Sequence, residues 1–353
     1  MIISKKVLIV TPDLKILGGV ANHYLGLKKH WSSGVKYITY GRRKTIPAII
    51  MLPIDLLNYI LYLVFKRPDV VIINPSLRYY QLFRDVIYLI IAKLMMIDVI
   101  TFFHGWDEKV ILEISKKPLL FRNTYGKSKF IYVLAKKFKT QLKELNLKSP
   151  IVLTTTKVDD KLLENFDVNS RTGEISNLLF LARVEISKGI IITINAFEKA
   201  SKKFDFLTLT IVGAGGSLEE AKLYVLNKKI KNVYFKGALS GHKLIKEFKK
   251  ESIYILPTHG EGMPTSVLEA MAFGLPIITR PVGGLNDFFE ENKMGNLIKS
   301  LDPTDFSLAI NELIRDREKC KYISIYNNKY SSKHFLASIV ARNIENDIIK
   351  LTH

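Results

Sequence analysis

The chain has one cysteine, Cys320, among 353 residues. An internal disulfide is therefore excluded, and so is a cysteine-rich metal site. Such sparing use of cysteine suits a reducing cytoplasm. The sequence also lacks clustered acids of the Asp-x-Asp kind that would hold a divalent cation, so no metal is expected. It lacks a complete Gly-x-Gly-x-x-Gly fingerprint. Val212-Gly213-Ala214-Gly215-Gly216 ends a strand in a glycine turn, but its spacing does not fit a dinucleotide such as NAD. No apolar run is both long and clean enough to span a bilayer. The nearest, 86–103, contains Lys93 and Asp98 and reads as a helix followed by a strand. The N-terminus shows no secretory signal. Its apolar run 7–10 is short and leads into Thr11-Pro12-Asp13 without a small-residue cleavage site.

Acidic residues are also scarce. There are 33 Asp and Glu against 53 Lys and Arg, a formal charge of +20. The imbalance is concentrated in residues 1–165, which hold 27 basic and 12 acidic side chains, against 26 and 21 in the remainder. A field of this sign attracts anionic lipid, nucleic acid or phosphorylated substrates; a lysine-rich composition that serves solubility is an equal alternative. Residues 109–148 form a basic-rich stretch. Residues 46–66 are apolar and aromatic, flanked by Arg42, Arg43 and Lys44 on one side and Lys66 and Arg67 on the other. They read either as an amphipathic helix in a membrane interface or as a core helix. Asp55, Asn58 and two prolines argue against a spanning helix.

Hydrophobic residues are plentiful, at 48%. The length exceeds what one core usually serves, so two domains are expected. Short apolar runs at 6–10, 69–74, 99–103, 130–134 and 151–154 read as buried parallel strands separated by helical segments. A polar stretch at 157–176 marks the boundary. The pattern then restarts with runs at 177–184, 206–212, 233–239 and 253–257. The expected division is a domain over 1–165, a second over 176–330, and a terminal segment 331–353 whose helix, about 332–351, crosses back to the first domain.

One stretch organises the rest. After the strand at 253–257 comes Gly260-Glu261-Gly262-Met263-Pro264-Thr265-Ser266-Val267-Leu268-Glu269-Ala270-Met271-Ala272-Phe273-Gly274-Leu275-Pro276. Glycines turn the chain sharply, Pro264 suits a first helical turn, and Gly274 followed by Pro276 is a stop signal. Glu261 is expected just before the helix and Glu269 inside it. Free N–H groups at a helix start attract anions. An anion site flanked by two acids suits a ligand with an anionic middle and hydroxyls at both ends, as in a nucleotide-sugar.

This run resembles the Glu-x7-Glu motif of the group 1 (GT4) retaining glycosyltransferases of the GT-B fold. The likeness continues into Gly283-Gly284 and Asp287. It also includes Arg183 and Lys188 at the spacing of a Gly-Arg-x4-Lys-Gly motif, with Ala182 where glycine is usual. It is specific over 177–300 and rests on Gly18-Gly19 and His104 before that. The resemblance implies an α/β chain of two Rossmann-like domains facing each other across a substrate cleft. It implies that Gly18, Gly19, Arg183, Lys188, Pro264 and Thr265 bind the donor diphosphate. Glu269 would bind the ribose, Gly237, Ala238 and Leu239 would lie near the base, and His104 and Glu261 would flank the reacting sugar. The expected partners are a nucleotide-sugar donor and a glycan or lipid-linked acceptor, with no cofactor, no metal and no nucleic acid. The expected setting is polysaccharide or surface-glycan assembly in the cytoplasm, with peripheral attachment to an anionic membrane through the basic first half. A same-fold epimerase and a non-catalytic membrane-surface protein are the alternatives.

Overall fold

The computed structural model describes residues 5–15, 18–32, 34–41, 48–171 and 173–352. Arg42, Arg43 and Lys44, the basic flank read before the apolar segment, lie outside the described residues, as does Thr172 in the polar stretch. The chain divides into two compact units: Met1–Lys157 with Ala337–His353, and Val158–Leu336.

Unit 1 is built on six parallel strands: β1 Val7–Pro12, β2 Val35–Tyr40, β3 Val70–Ile73, β4 Asp98–Phe102, β5 Phe130–Val133 and β6 Ile151–Leu153, in the order β2-β1-β3-β4-β5-β6. All of β3 and β5 is buried, as expected for strands covered on both faces by crossover helices. The first three helices are α1 Gly19–Leu27, α2 Ala48–Lys66 and α3 Tyr79–Leu94. Unit 2 repeats the plan with β7 Asn177–Leu181, β8 Thr208–Val212, β9 Val233–Gly237, β10 Ile253–Leu256, β11 Ile277–Thr279 and β12 Gly295–Leu297, in the order β12-β11-β10-β7-β8-β9, again parallel throughout. Its core packs Phe180, Phe197, Phe248, Tyr254 and Phe273, each fully buried. Phe248 and Phe273 stack with centroids 4.8 Å apart.

Each strand order reverses once, between β1 and β3 in the first sheet and between β7 and β10 in the second. At such a point the loops leaving two adjacent strands part to opposite faces and open a crevice at the strands' carboxyl ends.

Two sequence expectations are corrected. Pro264 caps the helix Thr265–Ala272 in an extended conformation and does not occupy its first turn. The last helix begins at Ala337, five residues later than the expected start at about 332. The helix before it ends at His334, because Val158 N–H donates to the Phe335 carbonyl at 2.7 Å and Val158 pairs with Leu336 as an isolated parallel bridge. This tertiary pairing interrupts the helix where neither proline nor glycine would. The terminal helix belongs to unit 1, where the Lys5 ammonium donates to the Thr352 carbonyl at 2.7 Å.

Candidate active site

In unit 2, Arg183 and Lys188 follow β7, and Glu261 and Thr265 follow β10, the two strands that flank the reversal. The chain after β7 runs through a 3-10 turn, Ile186–Lys188, into Gly189, whose φ is +79°. A Cβ at Gly189 would lie 2.2 Å from the Pro257 carbonyl, so only glycine brings the loop after β7 this close to the loop after β10. The result is an ion pair. Lys188 Nζ lies 2.5 Å from Glu261 Oε1, and both side chains are largely buried. The Thr258 hydroxyl donates to the same oxygen at 3.1 Å.

Gly283-Gly284 holds Glu261 from the other side. Gly283 has φ +54°, and a Cβ there would meet the Gly262 carbonyl at 2.2 Å. The Gly284 amide donates to that carbonyl at 2.8 Å. Arg280, just past β11, donates to the Thr258 and Lys299 carbonyls at 3.2 and 2.9 Å, tying three loops together.

The helix Thr265–Ala272 starts without a side-chain cap. Among the described residues its earliest amide paired to backbone is Val267, which donates to the Pro264 carbonyl. The amides of Thr265 and Ser266 are thus placed as an anion-binding start. Glu269 sits in the second turn and is almost wholly buried. Beneath the site, the Tyr254 hydroxyl donates to the Leu181 carbonyl at 2.9 Å and shares a 2.7 Å hydrogen bond with Ser266. Burial raises the Tyr254 pKa, and the charges of Glu261 and Glu269 raise it further, so both carboxylates bear on one buried hydroxyl. Arg183 is exposed at the rim. Gly237, Ala238 and Leu239 leave the edge strand β9, where the Gly237 carbonyl accepts from the Gly213 amide at 2.8 Å.

In unit 1, His104 follows β4. Its ring stacks on Phe102, with centroids 3.7 Å apart, and its Nε2 lies 3.0 Å from Asn74 Oδ1. The Asn74 amide nitrogen donates to the Val10 carbonyl at 2.9 Å, which fixes the amide orientation. Asn74 Oδ1 therefore faces both the Tyr24 hydroxyl, at 2.6 Å, and His104. An amide oxygen can only accept, so the His104 proton resides on Nε2 and Nδ1 is unprotonated. Burial lowers the His104 pKa to about 3, so the ring is neutral at physiological pH. Gly18 and Gly19 lead into α1. A Cβ on either would meet no heavy atom within 4 Å, so packing is not what requires these glycines.

Sequence reasoning missed Thr258, Tyr254, Arg280, Asn74, Tyr24 and His23. Position was the available signal for three of them: Thr258, Arg280 and Asn74 each stand one or two residues beyond a strand's carboxyl end. Nothing local marked the other three. His23 is buried against His104 at 5.2 Å between centroids, and neither of its ring nitrogens has a hydrogen-bond partner among the described residues. Burial, then His104 and Lys157, lowers its pKa.

Residues 164–330 match the model of the glycosyl transferases group 1 family. The chain is 26% identical over 230 residues to an uncharacterized glycosyltransferase of Methanocaldococcus jannaschii, MJ1178, a match covering 65% of this chain and 62% of that protein. It is 30% identical over 228 residues to the GtfA subunit of a UDP-N-acetylglucosamine–peptide N-acetylglucosaminyltransferase of Streptococcus agalactiae, covering 61% and 44%. The chain thus spans about half the length of such curated relatives. Among solved structures, Anabaena HepE in complex with UDP and glucose superposes with a TM-score of 0.72 at 13% identity, over 98% of this chain and 99% of that one. Sucrose-phosphate synthase from Thermosynechococcus elongatus gives 0.74 at 14%, over 98% and 99%. These two likenesses establish the two-sheet α/β architecture of the GT-B fold. Over residues 164–330, the chain is similar to the glycosyl transferases group 1 family.

Proposed function

We propose that the chain is a retaining, metal-independent glycosyltransferase of the GT4 type. It moves a sugar from a nucleotide-sugar to a glycan or lipid-linked acceptor in polysaccharide or surface-glycan assembly. It works in the cytoplasm, peripherally at the inner face of the cell membrane. The observation that carries this reading is the Lys188–Glu261 pair at the mouth of the helix Thr265–Ala272. It sets a cation, a hydroxyl-binding carboxylate and free helix amides side by side at the reversal of a parallel sheet. UDP is the proposed nucleotide, since the HepE structure and that of pneumococcal GtfA each hold it.

Breaking the bond between the anomeric carbon and the diphosphate leaves negative charge on the departing oxygen. In this reading Lys188, held by Glu261, the exposed Arg183 and the Thr265 and Ser266 amides receive that charge. Such preorganised charge is usually the largest catalytic contribution. Donor phosphate competes with Glu261 for the Lys188 ammonium and frees a Glu261 oxygen to accept from sugar hydroxyls. Glu269 accepts from the ribose hydroxyls, and 237–239 border the base. His104 offers an unprotonated Nδ1 as acceptor for a sugar hydroxyl. The acceptor oxygen bonds to the anomeric carbon from the face the diphosphate leaves, and its proton passes to the leaving phosphate. No covalent enzyme intermediate forms.

Proton NMR of the product made from an α-linked UDP-sugar tests the stereochemistry. An α-linked product is expected. A β-linked product contradicts retention, and interconversion of donor sugars without transfer points to an epimerase.

A further inference from the structure

Among the described residues, no helix is long and apolar enough to cross a membrane. Yet α2 is apolar on the side that faces away from the protein. Its inward stripe is Met51, Asp55, Tyr59 and Leu63, repeating every fourth residue. The polar members of that stripe are used internally: Asp55 accepts from the Gly41 amide at 2.8 Å, and the Tyr59 hydroxyl donates to the Tyr88 carbonyl at 3.1 Å. The outward side carries Ile50, Ile54, Leu57, Leu61, Val64 and Phe65, all exposed. This reverses the usual surface helix, whose polar groups meet water.

The neighbouring α3 packs against α2 through the Tyr59 and Tyr88 rings, 5.0 Å apart. It too exposes an apolar row, Tyr79, Phe83, Ile90 and Leu94, at helical spacing. Strands β2, β3 and β4 are parallel members of one sheet. Both connecting helices therefore run back from carboxyl to amino ends, and their last turns lie at the same edge. There stand Phe65 (76% exposed), Leu94 (79%) and Met96 (94%), interleaved with Lys66, Arg67 and Lys93. Monomeric proteins rarely expose so continuous an apolar face. Apolar side chains among cations match a bilayer surface with anionic headgroups.

We infer that the joint outer face of α2 and α3 is a docking surface for anionic lipid bilayers, entered at the edge bearing Phe65, Leu94 and Met96. The inference rests on the membrane reading above and names the surface that carries it. The basic excess of the first half supplies long-range attraction, and the two helices supply the apolar contact.

Sedimentation with vesicles of about 30% phosphatidylglycerol in phosphatidylcholine tests this. The protein is expected to sediment at about 0.1 M salt, and about tenfold less with phosphatidylcholine alone. The Phe65→Glu/Leu94→Glu variant is expected to lose about tenfold in vesicle affinity. Its circular dichroism and its UDP-induced thermal shift stay unchanged. Binding equal in variant and wild type overturns the proposal, as does wild-type protein left in the supernatant. So does a dimer that the variant dissociates, without vesicle binding, since the face would then join two copies. Vesicle binding without any UDP shift supports the docking surface and counts against the transferase reading instead.

Discussion

The Lys188→Ala variant transfers sugar about 10²–10³-fold more slowly than wild type, a loss of about 3–4 kcal/mol of transition-state stabilisation. Lys188 meets Glu261 at 2.5 Å in a largely buried setting. On the proposed reading, removing it deletes a cation from the donor diphosphate and, among the described residues, leaves the Glu261 carboxylate with the Thr258 hydroxyl alone as hydrogen-bond donor. The fall appears in kcat more than in KM, because the charge on the leaving phosphate grows in the transition state. Lys188→Arg does not rescue fully, since a planar fork fits differently where a point charge sits. Glu261→Ala is also slow, and the double variant loses less than the sum of the two, because each change alone strands the other partner. Additive losses in kcat would contradict a shared role.

The second large effect concerns stability. Glu251 ends the helix Gly241–Lys250 just before β10 and is fully buried, with neither carboxylate oxygen hydrogen-bonded among the described residues. Burial raises its pKa from an ordinary 4.5 to about 7, and nearby Glu247 adds to the rise. Thr210 and Lys250, whose ammonium is 3.6 Å away, oppose it only in part. The Arg171 guanidinium donates to the Phe248, Glu251 and Phe273 carbonyls and so does not pair with the carboxylate. The folded state therefore holds the proton more tightly than the unfolded chain. Stability is full below the ordinary value and is lost as pH rises from about 4.5 to about 7. The loss amounts to about 3 kcal/mol by pH 8. Glu251→Gln removes this penalty. Its melting temperature exceeds the wild type's by about 6–12 °C at pH 8 and by little at pH 4.5. Calorimetry at both pH values measures it, and curves that stay parallel would contradict a buried, protonated Glu251.

Much of this was legible in the sequence because the informative segments are local. The run 253–276 carries its own strand, turn and helix stop, and the apolar runs of β3, β5 and β10 are buried on both faces. The edge strand β2 escaped notice because it is only half buried, and β11 and β12 because three residues make no pattern. Within the candidate site, each missed residue depends on partners far along the chain. Asn74 matters because Tyr24 and His104 converge on it, across 50 and 30 residues. Arg280 matters because it grips the carbonyl of Thr258, 22 residues earlier. Residues 46–66 offered two readings, a core helix or an interface helix, and α2 has the first on one face and an uncovered apolar surface on the other.

The central claim is that unit 2 holds a nucleotide diphosphate between Lys188 and the helix start, with its ribose on Glu269. Thermal shift with UDP, GDP, ADP and CMP, on wild type and Glu269→Ala, tests it most directly. At a hundredfold excess over its dissociation constant, the correct nucleotide adds about 2.7 kcal/mol of stability. The account predicts that UDP raises the melting temperature of the wild type and that Glu269→Ala abolishes the rise. No shift with any nucleotide, or a UDP shift that Glu269→Ala leaves intact, would contradict it.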